Sequence, residues 1–363
     1  MILVVNAGST SLKAELFAPD LTSVLSLEIG GIGGAATLTV GDATTGVDVP
    51  DPPAAVALLP RTLEARGHPP ASLSTAAHRV VHGGALSAPA RTDAAILAAI
   101  EAAIPLAPLH NPANLAPIRA LAAAAPDLPQ VASFDTAFHA TCPEVATTYA
   151  LPADLRAQGI RRYGFHGLAC QSICTTLRAE GFPLDTTRLA IAHLGNGCSV
   201  TAVENGRSKA TSMGFSVLDG LTMGTRCGAL DPGVILHLLR TGHSAEEIET
   251  LLYHRSGLLG LSGLSSDMRD LTASDRPEAT DAVSHFVARV VGEVCRAAGA
   301  MGGLDVLVFS GGIGENAAPI RTAIMQGLAF LPGRDGSGVE TMVRAAREED
   351  VLLRAAAQVS KGR

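Results

Sequence analysis

The sequence contains no tryptophan, and aromatic residues make up only 3% of its 363 positions. It has no run of basic residues, and its net charge of −7 argues against a nucleic-acid partner. No apolar stretch is long enough to span a membrane, and the chain starts without the charged and apolar regions of a secretory leader. These absences predict a cytoplasmic protein that binds neither nucleic acid nor membrane.

Several catalytic and metal-binding signatures are also missing. The six cysteines include no C-x-x-C pair, and no second pair matches Cys170 and Cys174, so we expect reduced thiols rather than a zinc site. Neither a G-x-S-x-G motif nor a Cys–His pair points to acyl-enzyme chemistry. Walker A and Rossmann fingerprints are absent. The length and the 47% apolar content predict two domains with sizeable cores.

Two stretches share one pattern, in which an apolar strand, a polar glycine turn and a returning strand follow each other. The first covers residues 2–17 and turns at 6–11, and the second covers 189–203 and turns at 195–197. Backbone N–H groups in such turns suit the close approach of a phosphate. Because one hairpin opens each half of the chain, we predict a duplicated architecture whose halves face each other and hold one polyphosphate between them.

Two charged residues stand inside or directly after apolar strands. Arg79 lies within the strand-like segment 75–84, where a buried guanidinium needs an anionic partner. That partner is either an acid of the protein or a bound carboxylate or phosphate, which the arginine fork suits. Asp135 follows the apolar residues 131–134, the usual place for an active-site carboxylate in an α/β domain. The alternative for Asp135 is the N-cap of a short helix.

Glycine-rich turns carry the remaining candidates. Arg226 lies in a loop with Gly220 and Gly228, where a role in a site is favoured over a free surface position. His166 stands between glycines and either contacts phosphate or satisfies a loop carbonyl. The segment 310–316 joins a buried strand to a helix, which predicts a nucleotide or anion site.

Other segments have a predictable local structure. Asn205-Gly206 predicts a tight hairpin turn. Residues 105–114 read as an ordered, Pro-rich turn, and residues 282–298 as an amphipathic helix whose apolar stripe enters the core. The Ala-rich segment 339–358 is predicted to be helical.

The candidate groups together fit phosphoryl transfer. That reaction needs in-line positioning and positive charge around the transferred group, usually with Mg²⁺, and little covalent participation by the protein. Two arginines and backbone amides supply the charge. Asp135 would orient an acceptor or bind the metal.

Nine segments that carry these residues run in order over nearly the whole chain. They are NAGSTSLK (6–13), HRVVHGG (78–84), PLAPLHNPAN (105–114), FDTAFH (134–139), RRYGFHG (161–167), HLGNGCSV (193–200), SMGFSVLDGLTMGTR (212–226), SSDMRDL (265–271) and SGGIGEN (310–316). Together they resemble the acetate kinase family, in the superfamily of acetate and sugar kinases, heat-shock chaperones and actin. The resemblance implies reversible transfer of the ATP γ-phosphoryl group to acetate, with ATP or ADP as co-substrate and Mg²⁺, or Mn²⁺, as cofactor.

The resemblance also implies roles for individual residues. The catalytic set is Asp135, Arg79, Arg226, His166 and Asn6. An acyl-group pocket is implied at Val81, Leu109 and Pro232, and a metal link at Asn6 and Glu348. The residues implied in phosphate and nucleotide binding are Ser9, Ser11, Lys13, His193, Leu194, Gly195, Asn196, Gly197, Asp267, Met268, Arg269, Gly312, Ile313, Gly314, Glu315 and Asn316.

The implied fold is α/β, with two actin-like (ribonuclease H-like) domains and an interdomain cleft. Each domain would have a mixed five-stranded sheet flanked by helices. The N-terminal domain would cover 1–136, with 350–363 packing back on it, and the nucleotide-binding domain 137–349. A homodimer is expected. The alternatives are a kinase for propionate or another short-chain carboxylate, a catalytically weak ATP-binding switch protein and a sugar kinase.

Overall fold

The structure, a computed structural model, describes residues 1–8, 10–108, 110–334 and 336–361. The chain divides into two units. The first consists of Met1–Ala137 and Arg347–Arg363, and the second of Phe138–Ala346.

The first unit contains eight strands among its described residues. They are β1 (Ile2–Ala7), β2 (Ser11–Phe17), β3 (Ser23–Gly30), β4 (Thr37–Val40), β5 (Ala43–Gly46), β6 (Thr75–Val80), β7 (Ala90–Arg91) and β8 (Gln130–Phe134). Its N-terminal part also contains three α-helices, α1 (Pro52–Ala65), α2 (Ala94–Ala102) and α3 (Asn111–Ala124), and two 3₁₀ turns, Pro70–Ser72 and Ile104–Leu106.

The second unit contains a five-stranded sheet and ten α-helices among its described residues. The strands are β9 (Arg188–Leu194), β10 (Cys198–Glu204), β11 (Arg207–Thr211), β12 (Val306–Ser310) and β13 (Glu340–Val343). The helices are α4 (Glu144–Thr147), α5 (Ala153–Arg156), α6 (Gly167–Ala179), α7 (Pro232–Arg240), α8 (Ala245–His254), α9 (Gly257–Ser262), α10 (Met268–Thr272), α11 (Pro277–Met301), α12 (Gly311–Asn316) and α13 (Ala318–Gly327). Two 3₁₀ segments are Ala137–Thr141 and Leu184–Thr186. The last helix, α14 (Glu348–Lys361), belongs to the first unit.

The two sheets share one topology. The first has the strand order β5-β4-β3-β2-β1-β6-β8-β7, and the second has the order β11-β10-β9-β12-β13. In both, three antiparallel strands (β3-β2-β1 and β11-β10-β9) are followed by two that run parallel to the last of them. The predicted duplication is therefore visible in the strand order. The prediction of five strands is wrong for the first sheet, which gains β4, β5 and β7 at its two edges.

Side chains alternate between the two faces of the first sheet, so that one face enters an apolar core and the other carries polar groups. In the first unit Leu3, Val5 and Ala76 join an apolar core with residues of α1 and α3. The intervening side chains of β1 and β6 point to the other face, where α14 packs against β1, β6 and β8. Asn6 and Arg79 have this second parity, so polar groups collect beneath the start of α14.

Two local predictions are confirmed. Asn205 and Gly206 connect β10 to β11 with φ angles of 54° and 69°, as a type I′ turn requires. Helix α11 contains the predicted segment 282–298, and Phe286, Val290 and Val294 on its stripe are fully buried. Among the described residues, no helix has both the length and the apolar character needed to cross a membrane.

Three local predictions are wrong in part. Helix α3 begins at Asn111, inside the predicted Pro-rich turn, because a proline in the first helical turn loses no hydrogen bond. The segment 311–316 forms the short helix α12 instead of an open loop. The tail is not one helix, since Glu340–Val343 pairs with β12 as an edge strand before α14 begins.

Candidate active site

The first hairpin turn presents Asn6 at the end of β1. The turn is closed by the Gly8 N–H, which donates to the Ser11 carbonyl oxygen at 2.7 Å. Ser11 is partly buried, whereas the Lys13 side chain is 59% exposed and its ammonium lies 3.4 Å from the Glu28 carboxylate. Ser9 lies outside the described residues. The predicted phosphate contacts of this turn stay a prediction.

Arg79 lies at the centre of a charged cluster in the first unit, which we call the Arg79 cluster (Asn6, Arg79, Asp135 and Glu348). Its Nη2 donates to Asp135 Oδ2 at 2.6 Å and its Nε to Asp135 Oδ1 at 3.0 Å, which makes a bidentate pair. Its Nη1 donates to Asn6 Oδ1 at 3.1 Å. The Glu348 carboxylate lies 3.3 Å from Nε. The parallel neighbours β1, β6 and β8 all end at this edge of the sheet, which explains why these side chains meet.

The protein itself supplies the anionic partner that Arg79 was predicted to need. The Arg79 side chain is 20% exposed, Asp135 only 1% and Glu348 17%. Burial alone would lower the pKa of Arg79, but the charges of Asp135 and Glu348 outweigh burial and raise that pKa. Asp135 also receives a structural role, because its backbone N–H donates to the Val80 carbonyl oxygen at 3.0 Å. The guanidinium is therefore held charged and oriented.

Two buried asparagines that the sequence analysis did not assign hold the chain around this cluster. Asn114 accepts the Val81 N–H at 2.9 Å and donates to the Ala7 carbonyl oxygen at 2.6 Å, so it ties the loop after β6 to the end of β1. Asn111 accepts the His82 N–H at 3.1 Å. Both lie in the segment 105–114, but nothing in the local pattern indicated which backbone groups they would reach.

The predicted acyl pocket is only partly described. Val81 is buried in the first unit. Pro232 is exposed at the first position of α7 in the second unit. Leu109 lies outside the described residues. The pocket stays a prediction.

The second hairpin turn carries two histidines close together. His193 lies near the end of β9, and the turn is closed by the Gly195 N–H, which donates to the Gly197 carbonyl oxygen at 3.0 Å. His166 lies at the N-terminus of α6 in the left-handed region, with φ 59°. The His166 and His193 ring centroids are 4.8 Å apart. The structure thus brings together two residues that the sequence separates by 27 positions.

Arg226 completes this second group, which we call the Arg226 cluster (His166, His193, Gly197 and Arg226). A Cβ placed on Gly197 would lie 2.6 Å from Arg226 Nη2 and 3.2 Å from His166 Nε2. The Arg226 Nη1 donates to the Val217 carbonyl oxygen at 2.9 Å. Among the described residues no carboxylate forms an ion pair with Arg226, and burial lowers the pKa of its guanidinium. A partly buried cation without an acidic partner is suited to an anionic ligand.

A cavity of about 680 Å³ in the second unit is lined by half of the residues implied in phosphate and nucleotide binding. Asp267 caps α10 and pairs with Arg269 at 2.6 Å, and hydrogen bonds from Arg269 lower the pKa of Asp267 to about 2. The predicted lining residues are Gly195, Asn196, Asp267, Met268, Arg269, Gly312, Ile313 and Asn316. Ser266, Thr272, Ala317 and Pro319 also line the cavity but were not predicted.

Three predicted nucleotide residues have other surroundings. Leu194 is fully buried in β9, and Gly314 is buried in α12. The Glu315 carboxylate accepts the Gly311 N–H at 2.9 Å. A side chain on Gly311 would lie 2.6 Å from the Leu194 carbonyl oxygen, so these residues shape the turn behind the cavity.

The donor atoms of the Arg79 cluster fit a hard divalent cation. Asp135, Glu348 and Asn6 offer only oxygen ligands, and Mg²⁺ in kinases is held by one or two carboxylates together with substrate phosphates and water. Among the described residues, no group of three His, Cys, Asp or Glu side chains is arranged to hold a metal unaided. The donor set therefore suits an ion that a nucleotide brings with it.

The chain is similar to known proteins of one family. The model of the Acetokinase family matches residues 1–349. Acetate kinase from Rhodopseudomonas palustris is 46% identical over 346 residues, covering 91% of this chain and 87% of that protein. Acetate kinase from Deinococcus deserti is 46% identical over 375 residues, covering 99% of this chain and 92% of that protein.

Two solved structures are similar over nearly the whole chain. A propionate kinase from Francisella tularensis has a TM-score of 0.91 and 35% identity, covering 98% of this chain and 99% of that chain. An acetate kinase from Porphyromonas gingivalis has a TM-score of 0.88 and 33% identity, covering 99% of each chain. These matches, with two mixed sheets flanked by helices, confirm the predicted actin-like fold class.

Proposed function

Because the chain belongs to the acetokinase family, we propose that it catalyses the reversible transfer of the γ-phosphoryl group of ATP to acetate, giving acetyl phosphate and ADP. The protein is by family a carboxylate-phosphorylating kinase. The observation that carries the proposal is Arg226, a partly buried cation without an acidic partner among the described residues, beside the glycine turn and His166. ATP as co-substrate is consistent with a cytoplasmic enzyme.

The reaction exchanges one oxygen–phosphorus bond for another. A carboxylate oxygen of acetate attacks the γ-phosphorus while the bond to the β–γ bridging oxygen breaks and ADP leaves. Negative charge spreads over the three equatorial oxygens of the transferred group. Arg226 and His166 donate hydrogen bonds to these oxygens, and the glycine turn allows the phosphate to approach the backbone. The cavity beside Asp267 and Ile313 receives the nucleoside.

Arg79 binds the acetate carboxylate while its own acids keep it oriented. A guanidinium has five N–H donors, and Asp135 and Asn6 engage three of them among the described residues. The fork therefore retains donors for a substrate carboxylate. Val81, held by Asn114, is proposed to face the methyl group.

Asp135, Glu348 and Asn6 would hold Mg²⁺, which when bound neutralises phosphate charge. The matched test compares Glu348→Gln with Glu349→Gln, because the two acids are neighbours at the start of α14 but only Glu348 pairs with Arg79 in the described residues. Glu348→Gln should raise the half-saturating Mg²⁺ concentration about tenfold or more, by analogy with other lost metal-site contacts. An equal or larger shift of the half-saturating Mg²⁺ concentration in Glu349→Gln would contradict the assignment of Glu348 as the metal-linked acid.

The activity test is formation of acyl hydroxamate from acetate, Mg-ATP and hydroxylamine. The native protein should give product, and Arg226→Ala should not. Absence of product with native protein at saturating acetate would contradict the proposal. Nucleotide binding without transfer to any small carboxylate would instead favour the switch protein, and transfer to a sugar hydroxyl would favour the sugar kinase.

Propionate is the second candidate acceptor, since one of the similar solved structures is a propionate kinase. One methylene in an apolar pocket is worth about 1–3 kcal/mol, so the choice needs measurement. A series of kcat/KM values across formate, acetate, propionate and butyrate should peak at acetate. A peak at propionate would identify propionate, and not acetate, as the preferred acceptor.

A homodimer is supported by helix α7. None of its residues is buried, and Val234, Leu236 and Leu239 are 40–50% exposed. Such an apolar face on a surface helix is typical of an interface. Sedimentation should give twice the chain mass, and Leu236→Glu should shift the protein toward monomer.

A further inference from the structure

Three side chains form one row across the central strands of the second sheet. Ser199 on β10 is paired in register with His193 on β9, and Ser310 on β12 is paired with the same histidine from the other side. Residues in register on neighbouring strands point to the same face. Both serines are fully buried. A buried hydroxyl needs a hydrogen-bond partner, and the histidines supply it.

Ser199 is bound to a second histidine outside the row. Its Oγ lies 3.0 Å from His166 Nδ1. The opposite edge of that ring faces the glycine turn, because Nε2 is the ring nitrogen near Gly197. Ser199 therefore lies behind His166, and the phosphate turn lies in front of it.

The backbone of His166 shows that this orientation is imposed. A non-glycine residue at φ 59° is strained and persists where surrounding contacts hold it. His166 starts α6, whose Leu168 and Cys170 are fixed in the core. The ring is thus held from its backbone and from Nδ1.

The proton distribution on His166 follows from what lies at each edge. In a neutral imidazole one nitrogen donates and the other accepts. A second positive charge beside the Arg226 guanidinium is unfavourable, so the neutral ring is preferred. An accepting Nε2 would repel a phosphoryl oxygen, whereas Nε2–H would donate to it.

We propose that Ser199 is a positioning residue. Its hydroxyl donates a hydrogen bond to Nδ1 of His166 and so keeps the ring in the Nε2–H tautomer, with Nε2–H facing the phosphate turn. The role in catalysis and the choice of tautomer rest on the function proposed above, but the tautomer can be measured without activity. Ser199 acts through His166 and does not touch the substrate.

The kinetic test uses Ser199→Ala with two companions. Ser199→Ala should lower kcat about tenfold to hundredfold, the usual cost of losing such an outer contact, with KM values for acetate and ATP changed less than about twofold. Ser199→Thr, which restores the hydroxyl, should recover most of the activity. Thr201→Val is the matched control, because Thr201 has a buried hydroxyl on the same strand that donates to the Thr211 hydroxyl and not to a histidine. An equal loss of kcat in Thr201→Val would overturn the proposal.

A second readout does not depend on activity. Nitrogen-15 NMR of histidine-labelled protein, with His166 assigned by His166→Gln, should show Nε2–H in the native chain and a mixture or the Nδ1–H form in Ser199→Ala. A native Nδ1–H form, or a tautomer unchanged by Ser199→Ala, would overturn the proposal. If the protein forms no acetyl phosphate but shows the predicted tautomers, the proposed function fails and this inference stands.

Discussion

Arg79 and Arg226 are both partly buried and both lie beside a predicted phosphate turn, but the protein surrounds them differently. Arg79 pairs with Asp135 through two hydrogen bonds and with Glu348 through a third contact. Arg226 has a backbone carbonyl as its hydrogen-bond partner and, among the described residues, no carboxylate. The surrounding acids raise the pKa of Arg79, whereas burial lowers that of Arg226.

The difference separates two uses of a buried cation. An isolated buried charge costs several kcal/mol of free energy, which Asp135 and Glu348 offset at Arg79 within the folded protein. At Arg226 the cost is left for a ligand to offset. We therefore interpret Arg79 as an oriented group that shares its donors, and Arg226 as the group that gains most when negative charge develops on the transferred phosphoryl.

The largest expected effect comes from Arg226. Arg226→Ala should lower kcat by about 10³-fold or more, in the range of a lost transition-state arginine. Arg226→Lys should fail almost as badly, because a point charge does not replace the planar fork. Steady-state kinetics at saturating substrates would check both, and a near-normal kcat in Arg226→Lys would contradict the role.

A smaller loss is expected when Arg79 keeps its charge but loses its main partner. Asp135→Asn should lower kcat by about 10²-fold, because misplacing a substrate-binding group by 1 Å has about that cost. Asp305→Asn is the matched control, since Asp305 forms a similar pair with Arg188, in which Asp305 Oδ1 lies 2.5 Å from Arg188 Nη2. Neither of these two residues is a predicted site residue. That variant should lose stability but keep its kcat. An equal kcat in Asp135→Asn and native protein would show that the pair is structural only.

A glycine substitution tests the turn beside Arg226. Gly197→Ala should displace the Arg226 and His166 tips, since the new Cβ would lie 2.6 Å from Nη2, and should lower kcat by up to about 10²-fold. Thermal stability should change little, because the end of a long side chain can move aside. Gly292→Ala on α11, where the added Cβ meets no atom within 4 Å, should keep native activity. A fully active Gly197→Ala would place the phosphate elsewhere.

The smallest effect concerns pH and the strand that carries Arg79. Burial lowers the pKa of His78 to about 4 from 6.5, so between these values the unfolded chain binds the extra proton. Stability should fall as the pH drops from about 6.5 to 4, by about 1.4 kcal/mol per pH unit for each such histidine near the middle of that range. Urea unfolding measured from pH 7 to 4.5 should show that the free energy of unfolding of His78→Asn falls less steeply with falling pH than that of the native protein. An unchanged slope would mean that His78 does not titrate as described.

Short sequence patterns predict part of the fold and part of the candidate site. The glycine turns, the Asn205-Gly206 hairpin and the position of Asp135 after β8 follow from short patterns of strand, turn and polar residue. The topology then explains why Asp135 meets Arg79, because β6 and β8 are parallel neighbours. The resemblance to the acetate kinase family named eight of the twelve residues that line the cavity in the second unit.

Contacts between distant segments were not accessible in this way. The pairing of Glu348 with Arg79 depends on α14 packing across β6, and the two residues are 269 positions apart. The bonds from Asn114 to Ala7 and from Ser199 to His166 are likewise long-range, and a buried asparagine or serine has no periodic signature. The edge strand β7 has only two residues, too few to show an alternation.

The central claim, that Arg79 is neutralised within the protein and Arg226 is not, is tested most directly by equilibrium urea unfolding of Arg79→Met and Arg226→Met beside the native chain. Arg79→Met removes the guanidinium that pairs with the buried Asp135 carboxylate and should lower the free energy of unfolding by about 3–5 kcal/mol. Arg226→Met removes an uncompensated charge and should leave that free energy unchanged or raise it. Equal destabilisation by the two substitutions would contradict the account.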